Sequence, residues 1–243
     1  MKKCLFTIVS NEELAPAAFR MVLEGDTTAI TASGQFVNIA LEGKFLRRPI
    51  SVCDWNESQL TIIYKVVGEG TAQMSRMVPG QALDLLTGLG NGYDLSKSGQ
   101  RPLLIGGGAG VPPMYALARH LLAQGKEPSV ILGFNRGEEC FLKEEFSALG
   151  VPVTVATADG SLGVKGFVTD AMPSEGYTYF YTCGPEPMLR AIDGKAVTSG
   201  QLSFEERMGC GFGACMGCTC KTKYGNKRIC REGPVLEREE IIW

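Results

Sequence analysis

Short apolar segments separated by turns dominate the first 95 residues. Six of them are rich in Val, Ile, Leu and Phe and recur at short intervals. They are CLFTIVSN (4–11), AFRMVLEG (18–25), QFVNIAL (35–41), RPISVCD (48–54), QLTIIYKVV (59–67) and ALDLLTG (82–88). Segments of this length and composition are typical of strands, and their spacing predicts a small antiparallel β-barrel over residues 1–95.

From Arg101 onward, apolar strand-like segments alternate with helical patterns. The predicted strands are PLLIGGG (102–108), SVILGFN (129–135), VPVTVATADG (151–160) and TYFYTCGP (178–185). The predicted helices are VPPMYALARHLLAQG (111–125), EECFLKEEFSALG (138–150) and EPMLRAIDGKAV (186–197), with a short helix or turn over 166–173. This alternation predicts a parallel-sheet α/β domain over residues 96–203, followed by a small glycine- and cysteine-rich segment over 204–243. The expected fold is therefore mixed, with a barrel, an α/β domain and this third segment.

Four cysteines in the third segment carry the most specific chemical pattern. Cys210, Cys215, Cys218 and Cys230 follow the spacing C-x4-C-x2-C-x11-C. Three thiolates in one tight loop with a more distant fourth is the ligand spacing of a plant-type [2Fe–2S] cluster. The interleaved glycines suit a loop that bends sharply and directs its N–H groups at sulfur. Structural zinc is the alternative, although zinc sites usually have two separated C-x2-C pairs. Cys220 is left outside the ligand set.

A glycine-rich turn lies between the first strand and the first helix of the α/β part. Gly106, Gly107, Gly108 and Gly110 fall within LIGGGAGVPPM, residues 104–114. Glycines let the pyrophosphate of a dinucleotide approach the backbone, and the following helix N-terminus offers N–H groups to it. The spacing departs from the strict G-x-G-x-x-G arrangement, so an ordinary strand-to-helix turn remains the alternative.

The motif TCGPEPM ends a later strand of the same domain. It places Cys183, Gly184 and Pro185 at the carboxyl end of that strand, where open α/β sheets bind ligands. From spacing alone, the motif is equally compatible with a turn that holds a buried cysteine.

A second candidate anion site lies in the barrel. Arg48 begins the predicted strand RPISVCD, and KVVGEGTAQMSRM runs from a strand into a helix with Thr71 as its expected N-cap and Gly70 beside it. A guanidinium near a helix N-terminus would bind phosphate with two parallel hydrogen bonds. Taken one at a time, these residues have simpler explanations: Arg48 could be a surface charge, and Gly70 and Thr71 could form an ordinary helix cap.

Composition narrows the function classes. The net charge of −2 gives no indication of nucleic acid or an anionic membrane surface as a partner, and no apolar segment has the length of a transmembrane helix. The apolar stretch after MKK is too short for a signal peptide, and nine cysteines without an export signal indicate the reducing cytoplasm. The single histidine, His120, is expected on an exposed helix face, so electron transfer is favoured over histidine-based proton transfer.

The combination of these motifs resembles the ferredoxin–NADP reductase superfamily. In that family a barrel with R-P-x-S and G-x-G-T motifs binds the flavin, and a following domain with G-G-G-x-G and C-G-P motifs binds the nicotinamide dinucleotide. The segment FEERMGCGFGACMGC, residues 204–218, is similar to the electron-transfer subunit of type B dihydroorotate dehydrogenase, and so is TADGSLGVKGFVTD, residues 157–170. The resemblance covers essentially the whole chain.

The resemblance implies three cofactor sites. It implies FAD binding by Arg48, Pro49, Ile50, Ser51, Ile63, Tyr64, Lys65, Gly70 and Thr71. It implies NAD binding by Gly106, Gly107, Gly108, Gly110, Cys183, Gly184 and Pro185, with Cys183 near the nicotinamide rather than acting as a nucleophile. It implies cluster ligation by Cys210, Cys215, Cys218 and Cys230.

The resemblance also implies the function. An FMN-containing catalytic subunit would oxidise dihydroorotate in pyrimidine biosynthesis, and this chain would pass the electrons through its cluster and FAD to NAD, with two copies of each subunit. An NAD(P) reductase subunit of another complex, of the sulfite reductase, hydrogenase or transhydrogenase type, is the alternative. A non-redox protein with a zinc-stabilised tail is a more distant one. Asn135 and Arg136 end the second strand without an acidic residue, so the sequence leaves NAD or NADP open.

Overall fold

The computed structural model describes residues 1–243. The N-terminal part of the chain forms the closed antiparallel barrel that the sequence predicts. Its strands are β1 (Lys2–Ala15), β2 (Ala18–Glu24), β3 (Phe36–Ile39), β4 (Arg48–Trp55), β5 (Gln59–Lys65) and β6 (Ala82–Leu89). They pair in the order β1-β2-β5-β4-β3-β6. A short helix, α1 (Glu69–Met74), follows β5. Alternate residues of the strands fill the barrel, so their remaining side chains form an outer face, and other parts of the chain cover some of this face.

The second part is an α/β domain with a seven-stranded sheet. Its strands are β7 (Pro102–Gly107), β8 (Ser129–Phe134), β9 (Val153–Thr157), β10 (Val164–Lys165), β11 (Tyr179–Cys183), β12 (Gly200–Ser203) and β15 (Val235–Glu237). They lie in the order β10-β9-β8-β7-β11-β12-β15. Its helices are α2 (Pro112–Ala123), α3 (Lys143–Ala148), α4 (Val168–Ala171) and α5 (Glu186–Lys195). Neighbouring strands from β10 to β12 are parallel, and β15 pairs antiparallel to β12. The mixed fold class is thus confirmed.

Several elements of this domain differ from the sequence prediction. The helix expected over 138–150 is confined to α3, because Leu142 adopts a left-handed φ of 64° and residues 137–139 form a separate 3₁₀ turn. β12 and β15 were not predicted. β15 comes from the cysteine-rich third segment and completes the sheet of the second, so the two are joined through backbone pairing. The boundaries at residues 95 and 203 stay predictions.

The third segment packs on the outer face of the barrel. It contains the hairpin formed by β13 (Thr219–Thr222) and β14 (Gly225–Arg228). Cys218, Ile229 and Cys230 belong to the same buried apolar cluster as Phe36 and Leu89 of the barrel. A backbone hydrogen bond joins the same segment to the chain just after β6, where the Asn91 N–H donates to Gly233 O at 2.7 Å. The cysteine-rich segment is therefore fixed to both preceding parts of the fold.

Polar contacts join the barrel to the α/β domain. The Arg119 guanidinium on α2 pairs with Asp54 of β4 at 2.5 Å. On the same helix, His120 was expected to be exposed, and that expectation is wrong. Its Nδ1 lies 2.7 Å from Ser33 Oγ, and its ring packs edge-on against Trp55 at 5.0 Å between centroids. The spacing of apolar residues along α2 shows which side of the helix packs on the sheet of the α/β domain. It does not show that the barrel covers the opposite side.

No helix of the structure combines the length and the apolar character that crossing a bilayer requires.

Candidate functional site

The two predicted dinucleotide motifs lie side by side at the carboxyl edge of the central sheet. β7 and β11 are adjacent and parallel, and their register places Cys183 opposite Gly106. A Cβ at Gly110 would lie 2.7 Å from Gly184 N and closer still to the carbonyl oxygen of Cys183. A Cβ at Gly106 would lie 2.7 Å from Val111 Cα. Glycine is required here for close packing of backbone against backbone, which fixes the shape of the turn before any ligand arrives.

A cleft of about 590 Å³ opens in front of this turn. The predicted residues that line it are Gly107, Gly108, Pro185 and, from the barrel, Lys65. Gly106, Gly110, Cys183 and Gly184 support the cleft from behind. The other lining residues, which are not in the predicted set of NAD-binding residues, are Ala109, Gly133, Phe134, Asn135, Glu139, Ala156, Gly166, Phe167, Val168, Thr169, Pro187, Met188, Ala191 and Glu205. A cleft of this volume at the carboxyl ends of parallel strands has the size and position of a nucleotide site.

The Cys183 thiol behind the cleft is protonated at neutral pH. Burial raises its pKa to about 12, and the nearby Glu205 carboxyl adds to the shift. Burial also raises the pKa of Glu205 itself. Glu205 directly continues the chain after β12 and Phe204, so it emerges at the same sheet edge, but no motif marked it because β12 itself was not predicted. A thiol with such a pKa is a poor nucleophile at neutral pH.

The Lys65 ammonium connects the two sides of the cleft. Its Nζ lies 2.9 Å from Glu139 Oε2, and both side chains are largely buried. The pair therefore places a barrel residue of the predicted flavin set in contact with the dinucleotide cleft.

The barrel motifs come together at α1. A Cβ at Gly70 would lie 2.7 Å from Arg48 Cζ, so the guanidinium occupies the space that this glycine leaves free. Thr71 is not the N-cap, as the sequence suggested; Gly68 holds that position. The Thr71 hydroxyl instead accepts the Val67 N–H at 3.0 Å and donates to Gly68 O at 3.1 Å. Arginine and helix N-terminus thus meet at one point, which suits a pyrophosphate.

The remaining residues of the predicted flavin set divide between the two faces of the barrel wall. Ile50 packs against the barrel core, and Tyr64 lies inside it, with its hydroxyl donating to Asn11 Oδ1 at 2.9 Å. These two can offer a ligand only backbone groups. Pro49, Ser51 and Ile63 alternate with them and so project from the outer face, on which Lys65 also lies. Sequence motifs identify the strands but not which side chains point outward.

The cysteine loop directs backbone N–H groups at sulfur. Cys210 Sγ accepts hydrogen bonds from Ala214 N at 3.2 Å and Cys215 N at 3.4 Å. Although partial burial opposes the shift, N–H groups of Phe212, Cys215 and Ala214 lower the pKa of Cys210 to about 6. In the second half of the ligand set, Cys230 N donates to Cys218 Sγ at 3.4 Å. N–H groups aimed at sulfur stabilise thiolate, the form that binds metal.

The four thiols are arranged as two pairs. Hydrogen bonds link Cys210 with Cys215 near the surface and Cys218 with Cys230 in the interior. Each iron of a [2Fe–2S] cluster takes two thiolates, so two pairs of cysteines suit a cluster of two irons. Cys220 lies on β13 and packs against the apolar cluster instead.

A barrel, an α/β dinucleotide domain and a cysteine loop in this arrangement define a flavin-linked NAD oxidoreductase of the ferredoxin–NADP reductase type, extended by an iron–sulfur segment. Residues 104–194 match the oxidoreductase NAD-binding domain, and residues 205–242 match the iron-sulfur cluster binding domain of dihydroorotate dehydrogenase B. The chain belongs to the family of electron transfer subunits of dihydroorotate dehydrogenase B (NAD(+)).

Relatives that match over nearly their full length support this family assignment. The dihydroorotate dehydrogenase B (NAD(+)) electron transfer subunit of Bacillus pumilus is 42% identical, with 99% of this chain and 98% of the relative covered. The subunit of the same name from Streptococcus thermophilus is 41% identical, with 97% of each chain covered. The solved structure of an NADH-dependent reduced ferredoxin-NADP oxidoreductase is 29% identical, with a TM-score of 0.89 over 98% of this chain and 90% of that one. Membership in this family favours the electron-transfer function in dihydroorotate oxidation. It disfavours the two alternatives, which were a reductase subunit of another complex and a non-redox protein with a zinc-stabilised tail.

Proposed function

We propose that this chain accepts electrons from the oxidation of dihydroorotate in a partner subunit and delivers them, through a [2Fe–2S] cluster and FAD, to NAD. The observation that carries the proposal is the contiguity of the three candidate sites. The cysteine segment packs on the outer face of β3 and β6, β4 with the R-P-I-S motif is paired with β3, and the dinucleotide cleft includes Lys65 of β5. A nicotinamide exchanges hydride, a cluster exchanges one electron, and a flavin exchanges either.

The NAD site is assigned to the glycine turn and the end of β11. Gly107, Gly108 and Pro185 line the cleft and would contact the dinucleotide directly. Gly106, Gly110, Cys183 and Gly184 hold these residues in place through the close backbone packing described above. The protein's contribution is to fix the nicotinamide in one orientation and to exclude water from its reactive face.

The FAD site is assigned to the outer face of β4 and β5. Arg48, Gly70 and Thr71 would bind the pyrophosphate, since the guanidinium and the start of α1 meet there. The side chains of Pro49, Ser51, Ile63 and Lys65 and the backbone of Ile50 and Tyr64 would form the surface under the flavin. These residues would hold a flavin beside the dinucleotide cleft, which Lys65 also lines.

The cluster is assigned to Cys210, Cys215, Cys218 and Cys230. Their N–H···S hydrogen bonds would raise the reduction potential of the cluster by lowering the cost of added negative charge. Phe212 and Met216 on the same loop are exposed, at 38% and 55%. The loop would therefore face the catalytic partner, which we propose carries FMN and assembles with this chain as a tetramer of two subunits of each kind.

No proton-transfer residue is assigned to this chain. The base that deprotonates dihydroorotate would belong to the partner, and the residues here bind, orient and insulate cofactors. We place the protein in the cytoplasm because none of its nine cysteines is paired in a disulfide, which suits a reducing compartment.

Reconstitution tests the proposal. This chain and an FMN-containing dihydroorotate dehydrogenase subunit are co-purified, and reduction of NAD by dihydroorotate is followed by absorbance. The proposal predicts NAD reduction by the complex, none by either subunit alone, and none by a complex that contains Cys215→Ser. A complex that reduces NAD equally well with the Cys215→Ser chain contradicts the electron route.

A further inference from the structure

Asn38 occupies an unusual place on the barrel. Its strand neighbours Val37 and Ile39 point into the barrel core, so the Asn38 side chain lies on the outer face. It is nevertheless only 1% exposed. In the sheet it stands opposite Pro49 of the R-P-I-S motif on one side and Leu86 on the other.

The cysteine loop is what covers this side chain. Asn38 Nδ2 donates to Cys210 O at 3.2 Å, the carbonyl of the first proposed cluster ligand. A Cβ on the next loop residue, Gly211, would lie 3.2 Å from Asn38 Cγ, and Gly211 has a φ of +79°. The loop therefore turns directly against the Asn38 amide, and this amide is the barrel's polar contact with the turn that begins at Cys210.

The other half of the amide has no partner. Asn38 Oδ1 is buried and accepts no hydrogen bond. Its neighbour across the sheet, Pro49, has no N–H to offer. A buried acceptor without a donor destabilises the fold, and an apolar side chain of similar size would avoid that cost. The unpaired oxygen indicates a donor that the polypeptide itself does not supply.

We propose that Asn38 is a positioning residue that joins the flavin to the cluster loop. Its Nδ2 holds the loop through Cys210 O, and its Oδ1 accepts a hydrogen bond from the flavin, through a ring N–H or a ribityl hydroxyl. The inference rests on the proposed flavin site, because that site places FAD against Pro49. One side chain then fixes the spacing of two cofactors that must exchange electrons.

The test uses Asn38→Leu in the full chain, with Asn91→Ala as the matched control. Asn91 also ties the cysteine segment to the preceding parts, through Val235 O at 2.7 Å, Glu232 O at 3.1 Å and Val235 N at 3.1 Å, but it does not contact the loop that begins at Cys210. Three quantities are measured: the Kd of FAD, the iron content, and the EPR spectrum of the dithionite-reduced cluster.

For Asn38→Leu we expect FAD binding to weaken about 10-fold, which corresponds to about 1.4 kcal/mol. The reduced-cluster EPR spectrum should change in g-values or linewidth while iron content stays near that of the parent chain. Asn91→Ala should lower thermal stability without moving the FAD Kd or the spectrum. Asn38→Ala is measured in parallel, since it removes the polar atoms without adding bulk.

Parent-like FAD affinity together with a parent-like spectrum in both Asn38 variants would overturn the inference. Equal changes in the Asn91→Ala control would do so too, because general loosening would then explain them. Parent protein that binds neither FAD nor a cluster would instead overturn the proposed function, so the two failures are distinguishable.

Discussion

The glycine turn after β7 and the cysteine loop before β13 are both glycine-rich, yet they are held in different ways. At the glycine turn, backbone packs on backbone, and Gly106, Gly107 and Gly110 are buried. The cysteine loop has no regular structure between β12 and β13, and Cys215 at its centre is exposed. Its contacts are N–H···S hydrogen bonds and single side-chain links such as that from Arg228 Nη1 to Gly213 O at 2.6 Å.

The difference separates a preformed site from a site completed by its cofactor. A dinucleotide comes and goes in each turnover, so its turn must keep its shape without it. A cluster stays bound, so the free energy of metal binding contributes to ordering the loop. Substitutions at the glycine turn should therefore damage the fold locally, whereas substitutions at the cysteines should damage cluster content and leave the rest of the fold intact.

The largest expected effect is from Cys215→Ser. Loss of one of four ligands should reduce iron and inorganic sulfide in the purified protein to a small fraction of the parent values. The circular dichroism spectrum and FAD content should stay close to those of the parent, because Cys215 is exposed and supports no core packing. Cys220→Ser is the control and should retain full iron. Parent-level iron in Cys215→Ser would refute the ligand assignment.

The second effect concerns Gly110→Ala. The added methyl group would overlap the backbone at Cys183 and Gly184, and neither strand end can move away freely. We expect a loss of about 2 kcal/mol or more in the free energy of unfolding, together with weaker NAD binding and unchanged iron content. Gly194→Ala on α5 is the control. Its Cβ meets no atom within 4 Å, so it should be neutral or stabilise the helix by about 0.5–1 kcal/mol. Equal stabilities of the two variants would refute the account of the turn.

A smaller effect is expected for Arg228→Gln. The substitution removes the ion pair with Glu232 and weakens the link to Gly213 O. The cluster should form but be lost several-fold faster to a chelator, with a fall in unfolding free energy of about 1 kcal/mol. Arg231→Gln serves as the comparison, because Arg231 is exposed and only approaches Glu232 at 4.0 Å. Chelation rates that match between the two variants would show that the Arg228 link does not hold the loop.

The smallest effect is a pH dependence at His120, on the helix that follows the glycine turn. Burial lowers the pKa of His120, and Arg119 lowers it further while Asp54 partly opposes them. Below the unfolded-state pKa of about 6.5, the unfolded chain takes up a proton that the folded chain resists, so stability falls as the solution becomes more acidic. Thermal melts between pH 7.5 and 5.5 should show a shallower decline for His120→Gln than for the parent. Parallel declines would show that His120 does not contribute.

Local patterns in the sequence predicted much of this molecule. The six barrel strands, the strand before the glycine turn and helix α2 lie where the apolar periodicity places them, because each is stabilised by a continuous face of its own residues. β12 and β15 escaped prediction because they are short and become strands only by pairing with each other and with β11. His120 was misplaced because the barrel that covers it is distant in sequence.

The candidate site shows the same limit. Spacing identified the cysteines and the glycine turn, since both depend on neighbouring residues. It did not show that Tyr64 points into the barrel, that Thr71 is the third residue of α1 rather than its cap, or that Asn38 meets Cys210. Those facts depend on strand register and on the packing of the third segment. Which of these residues bind each cofactor stays a prediction.

The most direct test of the central claim is an anaerobic titration of the purified chain with NADH, followed by visible absorbance and EPR together with iron, sulfide and flavin analysis. The account predicts about two irons, two sulfides and one FAD per chain, a flavin that NADH reduces, and a reduced-cluster EPR signal once dithionite is added after the NADH. Folded protein that is colourless and free of iron, or a bound flavin that NADH leaves oxidised, would contradict the account.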